Sequence, residues 1–318
     1  MRIVRFLAAD GPRIGLVQSD RVVDLLSAAQ VRGLDWLRPF LVDLRAFLLA
    51  ERNLHEMIAG IARDADDWSR PINEVRVLAP FEAGAKILAH VVNYFEHGAE
   101  ANLKAPEKPF FFYKPPTSVS NPGDPIIAHH ISDRLDHEVE LAVLIGRRTL
   151  DVREENVYGH VAGYTIANDV SFRDLQTNVG FQSLTPRYGQ NWTQGKGLDF
   201  ACPLGPVVVL SDEMPTPYPL DITCRVNGET RQSSNTEHMI FKVPRLIAEI
   251  SRSMTLNPGD IVLTGTCAGG GVGSGNYLKP GDVVECEIER LGVLRNHVAV
   301  DRSNVETPGS ETPSAIGV

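Results

Sequence analysis

Several things are scarce in this chain, and each scarcity removes a class of protein. There are four cysteines, Cys202, Cys224, Cys267 and Cys286, and no two form a C-x-x-C. That disfavours a zinc ribbon or a thioredoxin-like motif. Free thiols in a reducing cytoplasm are the simplest expectation. Nowhere do about 18 apolar residues follow one another, so no membrane span is expected. The opening "MRIVRFLAADG" carries an arginine inside its apolar stretch and no long hydrophobic region, so it does not read as a signal peptide. Positive charge is also short, with 31 Lys and Arg against 40 Asp and Glu, a net −9. Nucleic acid and anionic membrane surfaces are therefore poor main partners. A small anionic substrate is still admissible, provided the site holds a cation. The glycine-rich "LTGTCAGGGVGSG" lacks the G-K-[ST] of a Walker loop, and it leads into another strand, not a helix. No internal repeat is visible.

What is present is an ordinary globular composition, 43% hydrophobic and 22% charged over 318 residues, enough for a large core. Residues 1–26 alternate as strands, "RIVRFL", "PRIGLVQ" and "RVVDLL", with "ADG" and "SD" as turns. A helical pattern follows over 36–66. Residues 1–75 read as a small α+β domain. From 76 to 301 short strands dominate, among them "KILAHVV", "FFFYK", "DHEVELAVLIG", "GYTIAND", "GPVVVL", "DITCRVNG" and "DIVLTG". Asn227-Gly228 is a type I′ hairpin signal. One clear helix lies in "MIFKVPRLIAEISRSM", with Pro244 in its first turn. The fold class expected is α+β and β-rich, a rolled or barrel-like sheet core. Residues 302–318 have few bulky side chains and read as a disordered tail.

The chemistry starts at "DHEVELAVLIG". Glu138 and Glu140 are two residues apart, so in a strand they share a face. Like charges that close need a cation or a shared proton. The plainer reading is a solvated strand end neutralised by a neighbour such as Arg134. A third carboxylate, Asp169, ends the β-like stretch of "GYTIANDVSFRD"; its plainer role is a turn or helix cap. Three carboxylates make an oxygen-only site suited to Mg²⁺, Mn²⁺ or Ca²⁺ and unsuited to zinc. In "NYFEHGAE", His97 and Glu100 are three apart and would share a helix face. A carboxylate on one ring nitrogen would make the other a better base for water, although a surface pair is the commoner meaning. Lys196 sits between two glycines, where backbone can approach a ligand. It could stabilise an oxyanion or enolate, or simply be a solvated loop lysine. The glycine-rich segment reads as a flexible loop that brings the Thr264 and Thr266 hydroxyls and backbone N–H groups to a ligand.

Taken together, "NYFEHGAE", "DHEVELAVLIG", "GYTIANDVSFRDLQ", "GKGLDFACPLGP", "LNPGDIVLTGT" and "LKPGDVVECEIERLGVLRN" resemble, in the same order, the fumarylacetoacetate hydrolase family. The likeness extends to its bacterial acylpyruvate hydrolase and 2-hydroxyhepta-2,4-diene-1,7-dioate isomerase members. It covers about residues 75–301. It implies a core of rolled mixed β-sheets and usually a homodimer. By position, Glu138, Glu140 and Asp169 match the family's metal ligands, usually for Mg²⁺ (or Mn²⁺/Ca²⁺). His97 and Glu100 match the water-activating dyad on a lid, and Lys196 the lysine beside the metal. Gln176 and Thr266 match substrate-contacting positions. Lys114 in "FFYKPP" matches a recurrent lysine, expected near a substrate carboxylate. Three departures stand out. "GTCAGGGVGSG" replaces the usual GTPxGVG, "VVNY" replaces GLNY, and Gly180 stands where fumarylacetoacetate-cleaving members carry a tyrosine. The last argues against fumarylacetoacetate itself as substrate.

The resemblance implies a small anionic 2-oxo acid substrate. In the hydrolytic version the dyad activates water against the distal carbonyl of an acylpyruvate-type 2,4-dioxo acid. The C–C bond breaks, and the metal and Lys196 stabilise the departing enolate. The same enolate serves isomerisation or tautomerisation, decarboxylation and hydration. The expectation is hydrolysis, because both His97 and Glu100 are present. The rival from another class is a silent ligand-binding protein on the same fold. Loss of a carboxylate or of the dyad would favour it, yet all five positions are filled.

Overall fold

A computed structural model describes residues 1–63, 65–101, 104–177 and 190–300. The expected tail over 302–318 and Gly180 lie outside the described residues. The centre of the architecture is the strand Val139–Ile145, buried at every position. Val139, Leu141, Val143 and Ile145 join one apolar cluster, and Ala142 and Leu144 join another on the opposite face. A strand covered on both faces reads as a nearly unbroken apolar run, which is why a charged pair at its start is conspicuous.

Val139–Ile145 lies between the antiparallel strands Val161–Asn168 and Ile261–Thr266. The sheet continues on one side through Ile87–His90 to Phe111–Lys114. On the other it passes through Cys202–Leu210 to the N-terminal strands Arg2–Ala8, Gly11–Gln18 and Arg21–Asp24. The link is the pairing of Arg2 with Val209 and Ile3 with Val208, so the N-terminal strands extend the same sheet. A second sheet of five strands includes Asp221–Val226, Val283–Ile288 and Gly292–Val300. The apolar cluster between the two sheets holds Leu141 and Val143 together with Ile222, Val284 and Leu294. This is the β-rich, rolled α+β class expected from the strand pattern.

Local chemistry explains most element boundaries. Asn227 and Gly228 have φ of 53° and 80°, the two positive values a type I′ turn requires. The helix expected around Pro244 runs Val243–Ser251, with the proline in its first turn and Val243, Leu246, Ile247 and Ile250 buried. It begins after Ile240, because proline fits the first helical positions and not later ones. The single pattern over 36–66 becomes three helices, Arg38–Val42, Leu44–Leu49 and Arg52–Arg63. Asp43 is extended, and its side chain accepts from the Ala46 N–H, which restarts the helix there. Among the described residues no helix is long and apolar enough to cross a membrane.

Candidate metal centre

Strand register assembles the carboxylates. Val139 pairs with Asn168 and Glu140 with Ala167, so Asp169, one residue past its strand, comes alongside Glu138. The Asp169 N–H donates to the Glu138 carbonyl at 2.8 Å. A register shift between Glu140 and Ala142 against Ile261–Thr266 is the kind of irregularity that re-aims a side chain. One oxygen each from Glu138, Glu140 and Asp169 lies within 4.8 Å of the others, and all three residues are buried.

Three cations hold this cluster together. Lys196 Nζ donates to Glu138 Oε2 at 2.6 Å and to Asp169 Oδ2 at 2.7 Å. Lys114 Nζ donates to Asp169 Oδ1 at 2.6 Å and to the Lys196 carbonyl. Arg173 donates to Glu138 Oε1 and, through Nε, to Asp136 Oδ2 at 2.7 Å. The glycines beside Lys196 allow close packing against other parts of the protein, whereas the sequence setting suggests close approach to a ligand. A Cβ on Gly195 would stand 2.5 Å from Gln176 Cβ, and one on Gly197 2.8 Å from Pro115 Cδ.

The electrostatics of the two glutamates diverge. Burial pushes the Glu138 carboxyl up, but Lys196 and Arg173 outweigh it and hold Glu138 well below the usual range. Glu140 goes the other way. Burial, then the Asp169 and Glu138 carboxylates, push it well above that range. The Gly265 N–H donates to its Oε2 at 2.5 Å. Among the described residues no ammonium or guanidinium lies within ion-pair distance of it. A divalent cation beside Glu140 would remove that repulsion. The donors are hard oxygens, so the residues fit Mg²⁺, Mn²⁺ or Ca²⁺. Lys196 keeps its ammonium: burial lowers its pKa, yet Asp169 and Glu138 raise it further than burial lowers it.

A cavity of about 200 Å³ opens beside this wall, lined by His97, Glu138, Arg173, Gln176, Lys196 and Thr266, with Phe112 and Trp192 among the apolar residues. The Phe112 and Trp192 rings stack at 5.1 Å. Gln176 Oε1 accepts from Arg173 at 3.2 Å, and its Nε2 donates to Gln190 Oε1 at 2.8 Å.

His97 and Glu100 do share a short helix, Phe95–Glu100. However, His97 Nδ1 is 3.7 Å from Glu100 Oε2, too far for a hydrogen bond, and it has no other partner among the described residues. Instead Glu100 accepts from the Gly269 N–H at 2.9 and 3.1 Å. The expected carboxylate-on-imidazole bond is therefore open here, because the glycine-rich loop competes for the carboxylate.

Three other expectations need correction. Lys114 is fully buried behind Asp169 and is not among the cavity-lining residues, so it supports a ligand carboxylate and does not face a substrate carboxylate. Thr266 lines the cavity, but its hydroxyl donates to the Val139 carbonyl and accepts from Gln232, each at 2.8 Å. The Thr264 hydroxyl donates to the Leu141 carbonyl. Both hydroxyls spend their proton on the glutamate strand, so neither can donate to a ligand, although an acceptor lone pair remains on each oxygen. Loop amides are likewise engaged. Gly271 and Val272 N–H groups donate to Asp136 at 2.6 and 3.1 Å, so the loop is tethered at both Glu100 and Asp136.

Arg173 and Asp136 are the residues that sequence reasoning missed. Both stand inside quoted motifs, "SFRDLQ" and "DHEVE". The available signal was the charge imbalance, since three close carboxylates require several cations.

A buried cluster of three oxygen donors at one end of a rolled β-sheet, beside a small cavity, defines the class: a site that could hold a hard cation next to a small molecule. The chain belongs to the fumarylacetoacetate hydrolase family. The model described as "Fumarylacetoacetate (FAA) hydrolase C-terminal" matches residues 86–299, and "Rv2993c-like, N-terminal" matches residues 1–80. The chain is 39% identical over 306 residues to the mitochondrial oxaloacetate tautomerase fahd2 of Xenopus laevis, covering 94% of this chain and 90% of that one. Among solved structures it is similar to the 2-hydroxyhepta-2,4-diene-1,7-dioate isomerase of Mycobacterium marinum, with a TM-score of 0.70, 30% identity and coverage of 95% and 99%. It is also similar to the maleylpyruvate hydrolase of Sphingobium sp. SYK-6, with a TM-score of 0.73, 28% identity and coverage of 95% and 100%. The family thus contains tautomerases, isomerases and hydrolases.

Proposed function

We propose that the protein is a divalent-metal-dependent enzyme acting on a small 2-oxo acid, and that it moves a proton between carbon and oxygen as a keto–enol tautomerase. The observation that carries the reading is the joining of three buried carboxylates, Lys196 and a small cavity that also contains His97. When bound, a divalent ion would supply Lewis acidity to an oxo acid. It would be held by Glu138, Glu140 and Asp169. Lys196 brings fixed positive charge to an oxygen that gains negative charge. His97, with an uncommitted Nδ1, can accept or return a proton. The Phe112–Trp192 pair gives part of the cavity an apolar lining. The oxaloacetate tautomerase name of a relative matched over nearly the whole chain supports tautomerisation.

Hydrolysis of an acylpyruvate-type acid is the second reading. It is favoured by the presence of Glu100 beside His97 and by the likeness to a maleylpyruvate hydrolase. It needs Glu100 to leave Gly269 and close the 3.7 Å gap. The test is to supply enol-oxaloacetate and acetylpyruvate with Mg²⁺ and identify products. Faster ketonisation without C–C cleavage is expected. Release of acetate from acetylpyruvate would instead establish the hydrolytic reading, and inertness toward both would overturn the enzyme assignment. In either reading His97→Ala should lower turnover by about 10²–10⁴-fold while Mg²⁺ still raises the melting temperature.

A reducing compartment suits the four cysteines, which are free and buried. The cytoplasm is the proposed location, and the mitochondrial address in the Xenopus relative's name meets the same condition. A homodimer is part of the same proposal, to be checked by sedimentation.

A further inference from the structure

We infer that Arg134, assisted by Tyr277, is a subsite for a second carboxylate, so the 2-oxo acid bound beside the metal wall is a dicarboxylic one. The inference rests on the proposed function, since it places the far end of the same substrate.

The reasoning begins with charge. In the inner wall, the carboxylates Glu138, Glu140, Asp169 and Asp136 face the cations Lys114, Lys196 and Arg173. Each of these cations is already held by the wall's own carboxylates, and an ion at Glu138, Glu140 and Asp169 would engage the chelating end of the oxo acid. A second carboxylate farther along the same molecule needs a cation of its own among the cavity-lining residues.

Arg134 is that cation. It lines the same cavity as Glu138, Arg173 and Lys196. Among the described residues no carboxylate pairs with its guanidinium, whereas Arg173 and Lys196 are each bound to two carboxylates. Its backbone is nevertheless fixed, because the Arg134 carbonyl accepts from the Arg173 N–H at 3.0 Å. The next residue, Leu135, accepts at 2.7 Å from the N–H of Leu278. That bond brings Tyr277, the residue before Leu278, beside Arg134, and Tyr277 also lines the cavity. Its ring is seated against Gly271, where a Cβ would lie 2.8 Å from Tyr277 Cδ1. No hydrogen bond occupies its hydroxyl among the described residues. Arg134 and Tyr277, whose guanidinium and phenol have no partner among the described residues, line the same cavity as Glu138 and Lys196, so a short molecule with carboxylates at both ends could meet both groups. Guanidinium is well shaped for bidentate contact with a carboxylate.

The test compares two probes with the same chelating head, pyruvate and 2-oxoglutarate, titrated into the Mg²⁺-loaded protein by calorimetry. The wild-type protein should bind 2-oxoglutarate about tenfold tighter than pyruvate, equivalent to ~1.4 kcal/mol. In Arg134→Gln the ratio should fall to about one. Arg134→Lys should recover part of it, and Tyr277→Phe should lower it by a smaller factor. Because Arg134 is exposed, the preference should also shrink as NaCl rises from about 0.1 to about 0.5 M. Equal binding of the two probes by the wild-type protein, or a preference that survives Arg134→Gln, overturns the subsite and leaves the metal-dependent reading standing. Failure of both probes to bind overturns the subsite and that reading together.

Discussion

The two halves of the site are built differently. The carboxylate wall grows from the centre of a sheet. Glu138 and Glu140 are set by strand period, Asp169 by the neighbouring strand's register, and each carboxylate except Glu140 is paired with a buried cation. The His97–Glu100 side grows from a six-residue helix and a glycine-rich loop. There the key contact is a backbone amide, Gly269 N–H to Glu100, and the histidine nitrogen has no partner. A sheet fixes position through many bonds shared along its length. A single helical turn has few bonds of its own and depends on what it docks against. The wall is therefore suited to holding an ion in constant geometry, and the His97–Glu100 side to changing partners.

The largest effect should come from the wall. Glu140→Ala removes the carboxyl that has no protein cation and should abolish both Mg²⁺ binding and turnover. The loss should exceed the roughly 10–100-fold seen when only an outer residue of a metal site is altered. Calorimetry with Mg²⁺ together with a turnover assay checks it, and retained activity would break the assignment of the wall as a metal site. A middle-sized effect should come from the loop. A Cβ on Gly273 would lie 2.2 Å from Glu100 Cγ, so Gly273→Ala must displace Glu100. Misplacement by about 1 Å can lower turnover by about 10²-fold, with Mg²⁺ affinity retained. If Gly273→Ala also releases the metal, the two halves are one unit and the contrast fails.

The smallest effect concerns the strand that leads toward the His97 helix. His90 is buried, with Nδ1 3.1 Å from the Leu263 carbonyl, and burial pushes its pKa down from 6.5 to about 4. The unfolded chain takes up the proton first on acidification. Stability is therefore fully present above about pH 6.5 and falls as pH drops toward 4, by ~3 kcal/mol. His90→Leu should flatten the dependence of melting temperature on pH across that window. An unchanged slope would show that acid lability comes from the wall and not from this strand.

Much of this was legible in the residues alone, for a physical reason in each case. The adjacency of Glu138 and Glu140 follows from a period of two. The I′ turn at Asn227-Gly228 follows from the positive φ values that those residues tolerate. The helix start near Pro244 follows from a missing N–H. The three-carboxylate grouping was legible too, but only once the sequence was set beside a family. The docking of the loop was not. The Gly269 amide on Glu100 and the Gly271 and Val272 amides on Asp136 connect positions more than 130 residues apart, and no local pattern encodes which amide is left over.

Sequence by itself determined that this protein has a β-rich core with two glutamates sharing a face at the mouth of a buried strand, because side-chain alternation and turn chemistry act over a few residues. Tertiary structure alone decided how those charges are balanced. Lys114 went behind Asp169 and Arg173 between Glu138 and Asp136, the Thr264 and Thr266 hydroxyls went to the glutamate strand, and Arg134 was left in the cavity lining with no carboxylate partner among the described residues. The reason is that buried charges choose partners by distance in space and by the exclusion of water, and neither is written in the spacing of a chain.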